Sequence, residues 1–262
     1  MEPPKNLAVF FSRGAFGDCT RHSILAAMED ERVAKIRIYS TCPDTLYEAN
    51  WNCGCDEDLG KQLKESPNKQ KLNIVHLQES DFTGSQEAFT SKVDLNGVDA
   101  IISGIGNRQP FLGERIGKDG TKNITTLMKV HHIDRLVAMS SMGISSKLGN
   151  DKPCMEWRFE GKIMQFLFST LCKREYKDLK GVENATKESD VNFLVLRPLG
   201  LGEEVKPSGE VFIQEKKFDD VLGPQMAKKD VGTFMVEQAL NPTLERKAIV
   251  IGGDPKEAHE RM

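Results

Sequence analysis

The residues Phe11-Ser12-Arg13-Gly14-Ala15-Phe16-Gly17 carry the strongest chemical signal in this chain. An apolar run, Leu7 to Phe11, precedes them, and the stretch Cys19 to Met28 after them sets Ile24, Leu25 and Met28 on one stripe. That order reads as strand, glycine turn and helix. It aims backbone N–H groups and a helix N-terminus at one point, where a pyrophosphate binds favourably. The full dinucleotide fingerprint has one more glycine, and its place is held by Phe11. A turn glycine is the one a side chain replaces least easily. A pocket closed by Phe11 is therefore one of the readings left open.

Other reactive types are less organised. Cys53-Gly54-Cys55 could be half of a metal site, but a soft-metal site needs about four ligands, and no second cysteine pair exists. His76 is the nearest histidine downstream and falls in a predicted strand, so two thiols on a surface loop, without metal, are expected. His131 and His132 end a predicted helix, where a cation interacts well with the dipole. Trp157, Phe159, Phe166 and Phe168 precede Tyr176 and either roof a flat aromatic substrate or pack in the core.

The elements that must position these residues alternate along the chain. Strands are expected at Leu7–Phe11, Ala34–Tyr39, Asn73–Leu77, Val98–Ser103, Arg135–Met139, Asn192–Leu196 and Ala248–Ile251. Helices are expected after the turn, at Ser85–Val93, Ile116–His131, Val231–Leu240, and as two patterns between Trp157 and Glu188 broken near Cys172 to Glu175. Thr41 to Gln70 reads as a polar surface excursion with one short helix. Strands separated by helices at this rhythm make a doubly wound, mostly parallel α/β sheet, Rossmann-like, with helices on both faces. One domain over residues 1–262 is expected, with substrate-side segments at about 143–190 and 200–228.

Bulk properties narrow the partners. The chain has 262 residues, 39% hydrophobic and 29% charged, with a net charge of −3. Those values fit a globular protein with a real core. They do not favour nucleic acid, and the clusters Lys216-Lys217 and Lys228-Lys229 read as solvated surface. No apolar stretch has the length of a membrane span, and no signal peptide is visible before the first strand. Reduced thiols and a cytoplasmic location are the corresponding expectation.

Four strand-tip and helix segments then join the turn: Ser103-Gly104-Ile105-Gly106, Gly120-Thr121-Lys122-Asn123, Ser140-Ser141-Met142-Gly143 and Leu196-Arg197-Pro198-Leu199-Gly200, with Lys229-Asp230-Val231 before the last helix. Together they resemble the atypical short-chain dehydrogenase/reductase family, in its NmrA-like and flavin-reductase-like branch, over roughly Leu7 to Gly252. The resemblance implies a Rossmann domain holding NAD(P)H at the carboxyl ends of the strands. By position, Ser12, Arg13, Gly14, Phe16 and Gly17 would line the pyrophosphate and adenine ribose. Thr41 marks the tip of strand two, and Asp81 and Phe82 match the adenine contact. Ser103, Gly104 and Ile105 would flank the cofactor, Ser140 and Ser141 would face the nicotinamide, and Pro198 and Leu199 would lie near its carboxamide.

The tip of strand two, Ser40-Thr41-Cys42, offers no carboxylate before Asp44 to repel a 2′-phosphate. In the family a basic residue before the second glycine often favours NADP, and Arg13 stands there, its fork of donors suited to phosphate. NADP(H) is therefore expected over NAD(H), with a solvated loop cation as the other reading of Arg13. The wider family uses a tyrosine as proton donor, its pKa lowered by a lysine four residues on, with a serine orienting the carbonyl. Tyr176, Lys180 and Ser141 have that pattern. The same stretch also fits a branch lacking the tyrosine, in which Asp178 and Glu183 are the shared features. The resemblance implies an NAD(P)H-dependent reductase of a small carbonyl, quinone or flavin-like acceptor. It also allows a non-catalytic NAD(P)-binding redox sensor or regulatory interaction protein, acting with a homodimer or protein partner.

Overall fold

The computed structural model describes residues 3–48, 58–106, 115–141, 144, 173–202, 205–214, 222, 223 and 225–255. Seven strands lie where apolar runs predict them, each shifted by no more than about two residues: β1 Lys5–Phe11, β2 Val33–Ser40, β3 Leu72–His76, β4 Ala100–Gly104, β5 Arg135–Met139, β6 Asn192–Pro198 and the last strand, Lys247–Gly252. Between the last two come β7 Leu201–Gly202, β8 Phe212–Gln214 and β9 Met226–Ala227, so the last strand is β10. Runs of two or three residues carry too little periodicity to be read from sequence.

The main sheet has eight strands in the order β3-β2-β1-β4-β5-β6-β10-β8. All its pairs are parallel except β10 with β8. Every residue of β4 and β5 is buried, as a sheet covered on both faces requires. Along β1 the side chains alternate. Leu7, Val9 and Phe11 join one apolar cluster, and Ala8 and Phe10 join the other.

Two helix layers cover the faces. α1 (Ala15–Glu29) supplies Ile24 and Met28 to the first cluster, as the stripe predicts. The late helix, Lys228–Leu240, packs with it and supplies Val231 and Met235. The excursion after β2 holds 3₁₀ turns at Pro43–Tyr47 and Lys69–Lys71 around α2, Leu59–Glu65. On the second face α3 (Glu79–Thr83) was not expected. It is held by reciprocal capping between Gln78 and Asp81. α4 (Gln86–Lys92) is capped by Ser85, and α5 (Gly117–Val130) gives Ile124, Leu127 and Met128 to the second cluster. α6 (Lys173–Glu188) is the second of the two helical patterns; the first lies outside the described residues. The late helix is α7.

The chain leaves β1 toward β2 on one side and leaves β4 toward β5 on the other. A crevice opens at such a reversal, beyond the carboxyl ends of the strands. Phe11 pairs with Ser40 of β2 and with Gly104 of β4, so three strand tips end level at that crevice. No helix among the described residues is long and apolar enough to cross a membrane.

Candidate nucleotide-binding site

Gly14, the residue before α1, has φ 100° and ψ −170°, a conformation that strains any L side chain. Gly17 lies so close to Ser12 that a Cβ on it would strike the Ser12 carbonyl oxygen. The two glycines therefore keep a turn tight enough to bring backbone against a ligand. The first helical bond runs from the Asp18 N–H to the Gly14 carbonyl, 3.0 Å. The N–H groups before it have no intrahelical acceptor and point out of the helix end.

Phe11 does not occupy the turn glycine's usual space. Its ring is wholly buried in the cluster with Val9 and Phe16, and Cδ2 would stand 3.9 Å from a Cβ on Gly17. Ser12 is 1% exposed, and its hydroxyl has no hydrogen-bond partner among the described residues. A buried hydroxyl without a partner is costly. An orphaned donor in a glycine cradle at a helix N-terminus fits a diphosphate. Arg13 is exposed beside it.

Two further close approaches seat α1 and α5 against their neighbours. Gly104, at the tip of β4, lets α1 in: a Cβ there would meet Thr20 Oγ1 and, at 3.0 Å, the Phe16 carbonyl oxygen. Gly120 of α5 accepts Ile105 and Phe82 at 2.9 and 3.0 Å from the same hypothetical atom. Ser103 and Ile105 are buried beside them. Ser40 caps the tip of β2 by accepting from the Cys42 N–H at 3.0 Å, and Thr41 is half-buried there.

Electrostatics at the mouth of α1 correct one expectation. Lys228 is 4% exposed rather than solvated surface. Its ammonium stands 2.8 Å from the Asp18 carboxylate, and Arg21 adds a second cation at 3.6 Å. Asp18 suits the helix dipole but would oppose an anion at the same end. Lys228 and Arg21 neutralise it. Lys229 is exposed, as expected.

The remaining predicted residues separate into two groups. Leu199 is half-buried, donates its N–H to the Ile251 carbonyl at 2.9 Å, and lies beside Pro198 and Gly252 at the sheet's carboxyl edge. Tyr176 is half-buried with its ring against the cluster that holds Phe11 and Leu179, and Lys180 follows one turn later on α6, also half-buried. Ser141 is buried just past β5. Ser141, Pro198 and Leu199 stand at the carboxyl ends of β5 and β6, the end of the sheet at which the glycine turn follows β1. Phe82 stands apart. Its ring is fully buried on the second face with Phe10 and Phe89, and Asp81 turns to the Gln78 N–H, 2.8 Å.

Ser140 is also directed inward. Its hydroxyl donates to Glu183 Oε1 at 2.5 Å, and Glu183 is clasped by Arg197 through Nε–H at 2.9 Å and an Nη2 contact at 2.7 Å. Glu183 and Arg197 are 0% and 1% exposed in their side chains. A second buried acid on α6 has a different task. Asp178 accepts from the Gly117 and Lys118 N–H groups at 3.0 and 2.9 Å, capping α5, which has no capping side chain of its own. Burial pushes its carboxyl pKa up, against the pull of those two donors. Asp178 and Glu183 are thus the residues that fix α6 to α5 and β6. Their acidity gave no hint of those tasks, since a carboxylate on a helix is usually solvated. Cys53 and Cys55, Met142 and Gly143, and the aromatic residues from Trp157 to Phe168 lie outside the described residues.

Comparison with known proteins agrees with this geometry. A family model described as NAD(P)H-binding matches residues 60–242, a span that begins downstream of the glycine turn. The fold is shared with a short-chain dehydrogenase/reductase of Veillonella parvula in complex with NADP (TM-score 0.61, 13% identity, 95% of this chain and 94% of that one). It is shared equally with the oxidoreductase ylbE of Lactococcus lactis (0.57, 16%, 97% and 96%) and with a proposed NADH-flavin reductase of Streptococcus pneumoniae (0.58, 13%, 95% and 100%). Identities this low establish common architecture only. Comparison with curated protein sequences finds no match. The order of strands, the glycine cradle at the switch point and the matched family model make this chain a member of the NAD(P)H-binding family, built on the Rossmann fold of short-chain dehydrogenase/reductase-like proteins.

Proposed function

We propose that the protein is an NADPH-dependent reductase of a small carbonyl, quinone or flavin-like acceptor. The observation that carries the reading is the Ser12 hydroxyl, buried without a partner inside the Gly14–Gly17 cradle. The bound nicotinamide nucleotide would supply hydride. Ser12 and the free N–H groups of α1 hold the diphosphate, and Asp18 is kept neutralised by Lys228. Arg13 reaches a 2′-phosphate at the tip of β2, where Ser40-Thr41-Cys42 has no carboxylate to repel it.

For a carbonyl acceptor, Tyr176 donates the proton, with Lys180 one helical turn away, and Ser141 orients the oxygen. A flavin or quinone takes up charge within its own ring system and needs less from Tyr176. A sensor that binds nucleotide without turnover is the second reading, supported by Ser140 being committed to Glu183 rather than to the crevice.

A fluorescence titration with NADPH and NADH, followed by turnover with a quinone, free flavin and a simple aldehyde, separates the two. Binding with oxidation of NADPH supports the reductase. Binding that discriminates NADP from NADPH, with no turnover, favours the sensor. No binding of any nicotinamide nucleotide refutes both.

A further inference from the structure

The outer faces of α5 and α6 carry a charge pattern at odds with the whole chain. α5 exposes Lys118, Lys122 and Lys129, spaced along one stripe. α6 exposes Lys173, Arg174, Lys177 and Lys187. Against these seven cations stand two exposed carboxylates, Asp119 and Glu188. The two helices therefore expose an excess of five positive charges on a chain whose net charge is −3. Between the helices runs a groove of about 410 Å³, lined by Lys118, Lys122, Thr126, Lys129, Asn184 and Glu188 among others. At one point the two helices pack closely, the Lys118 stem lying across the place a Gly181 Cβ would take.

We propose that this groove docks an extended, acidic segment of a partner protein. Charge decides the sign of the occupant: like-charged faces repel at close range, which also disfavours a second copy of this chain docked face to face. Shape decides its form. Lys118 and Lys129 are separated by ~16 Å along the helix axis, the reach of about five residues of extended chain. Chemistry decides its class. Among the described residues no aromatic side chain lines the groove to stack on bases, as single-stranded nucleic acid would use. The lining has no apolar ridge for an amphipathic helix; Val130, 65% exposed, stands beyond the last lysine. Lysine ammoniums meet carboxylates as point charges. Asn184 offers an amide that pairs with a peptide backbone, and Thr126, whose hydroxyl donates to the Lys122 carbonyl at 2.8 Å, keeps an oxygen that accepts. Glu188 at the far end repels acid there and bounds the acidic stretch.

The test is fluorescence anisotropy of a labelled octapeptide of alternating Asp and Glu, against a Ser/Gly peptide of the same length. The acidic peptide should bind, and weaken steeply between 50 and 300 mM salt, on the order of tenfold or more, as charge-driven contacts do. Lys122→Glu with Lys129→Glu should lower its affinity by about tenfold, the size expected from reversing two exposed charges. NADPH affinity and the thermal midpoint should stay unchanged, since neither residue touches the crevice or the core. Should the double reversal fold poorly, Thr126→Glu places a carboxylate in the same groove and should give the same loss. No binding of the acidic peptide overturns the proposal. So does equal loss with the Ser/Gly peptide, tighter binding of duplex DNA or of phosphatidylserine vesicles, or a dimer in sedimentation that the double reversal dissociates.

Discussion

Glu183 on α6 and Arg197 on β6 form a two-pronged ion pair with both side chains out of water, and the Ser140 hydroxyl closes the third side of the carboxylate. This places a helix, a strand and a strand tip on one buried charge pair. Removing one partner leaves the other charge unpaired in the core, which costs several kcal/mol. Glu183→Gln should lower unfolding free energy by about 3–5 kcal/mol in urea titration. Glu183→Leu with Arg197→Met should lower it less than either single change, because no charge is left behind. An additive double mutant would show the pair to be uncoupled.

Gly17 and Ser12 give the cradle its test. Gly17→Ala forces a methyl against the Ser12 carbonyl and should weaken NADPH by at least about tenfold, read by nucleotide fluorescence. Ser12→Ala has two effects of opposite sign. The ligand-free protein should gain about 1 kcal/mol by losing a buried unpaired hydroxyl, while NADPH binding weakens by a similar amount. A serine with a purely structural role would lose stability instead.

Arg13 is exposed two residues past Phe11, which pairs with Ser40 at the tip of β2. Arg13→Ala should cost NADPH about tenfold and leave NADH nearly unchanged, as expected for one charged hydrogen-bonding group on a phosphate. Equal losses for the two nucleotides would remove its assigned role.

Tyr176→Phe should slow reduction of a simple aldehyde by about a hundredfold, the range of a positioned general acid. NADPH affinity and flavin reduction should be retained. Unchanged aldehyde turnover would show that Tyr176 and Lys180 share a helix face for packing alone.

His22 carries the pH dependence. It is 3% exposed where α1 meets α7, with no partner for either ring nitrogen among the described residues. Gly232 lets the helices approach there, since its Cβ would lie 2.6 Å from that of His22. Burial lowers its pKa from 6.5 to about 4, helped by Arg21, Lys229 and Lys228 and opposed by Asp18. The folded state therefore favours the neutral ring. Its contribution is complete above the unfolded pKa and is lost as pH falls from about 6.5 toward 4, up to about 3 kcal/mol. Melting at pH 7 and pH 4.5 should show that loss in the natural protein and a much smaller one in His22→Leu. A variant with the same pH slope would exonerate His22.

The local elements were legible in the residues themselves. Unbroken apolar runs such as Ala100-Ile101-Ile102 announce strands buried on both faces, and Ile24, Leu25 and Met28 announce the inward side of α1. Gly14 and Gly17 announced a turn because side-chain bulk is excluded there by local geometry. Three decisions were not local. Phe11 looked like an obstruction in the crevice, yet strand alternation turns its ring into the core. Lys228 looked solvated, yet helix packing across 210 residues sets it on Asp18. Ser140 looked like a cofactor contact, yet a carboxylate 43 residues on takes its hydroxyl. Spacing along a chain determines which way a backbone runs and which stripe it buries. Which polar group meets which across the sheet depends on contacts between distant segments, and those exist only once the chain has folded.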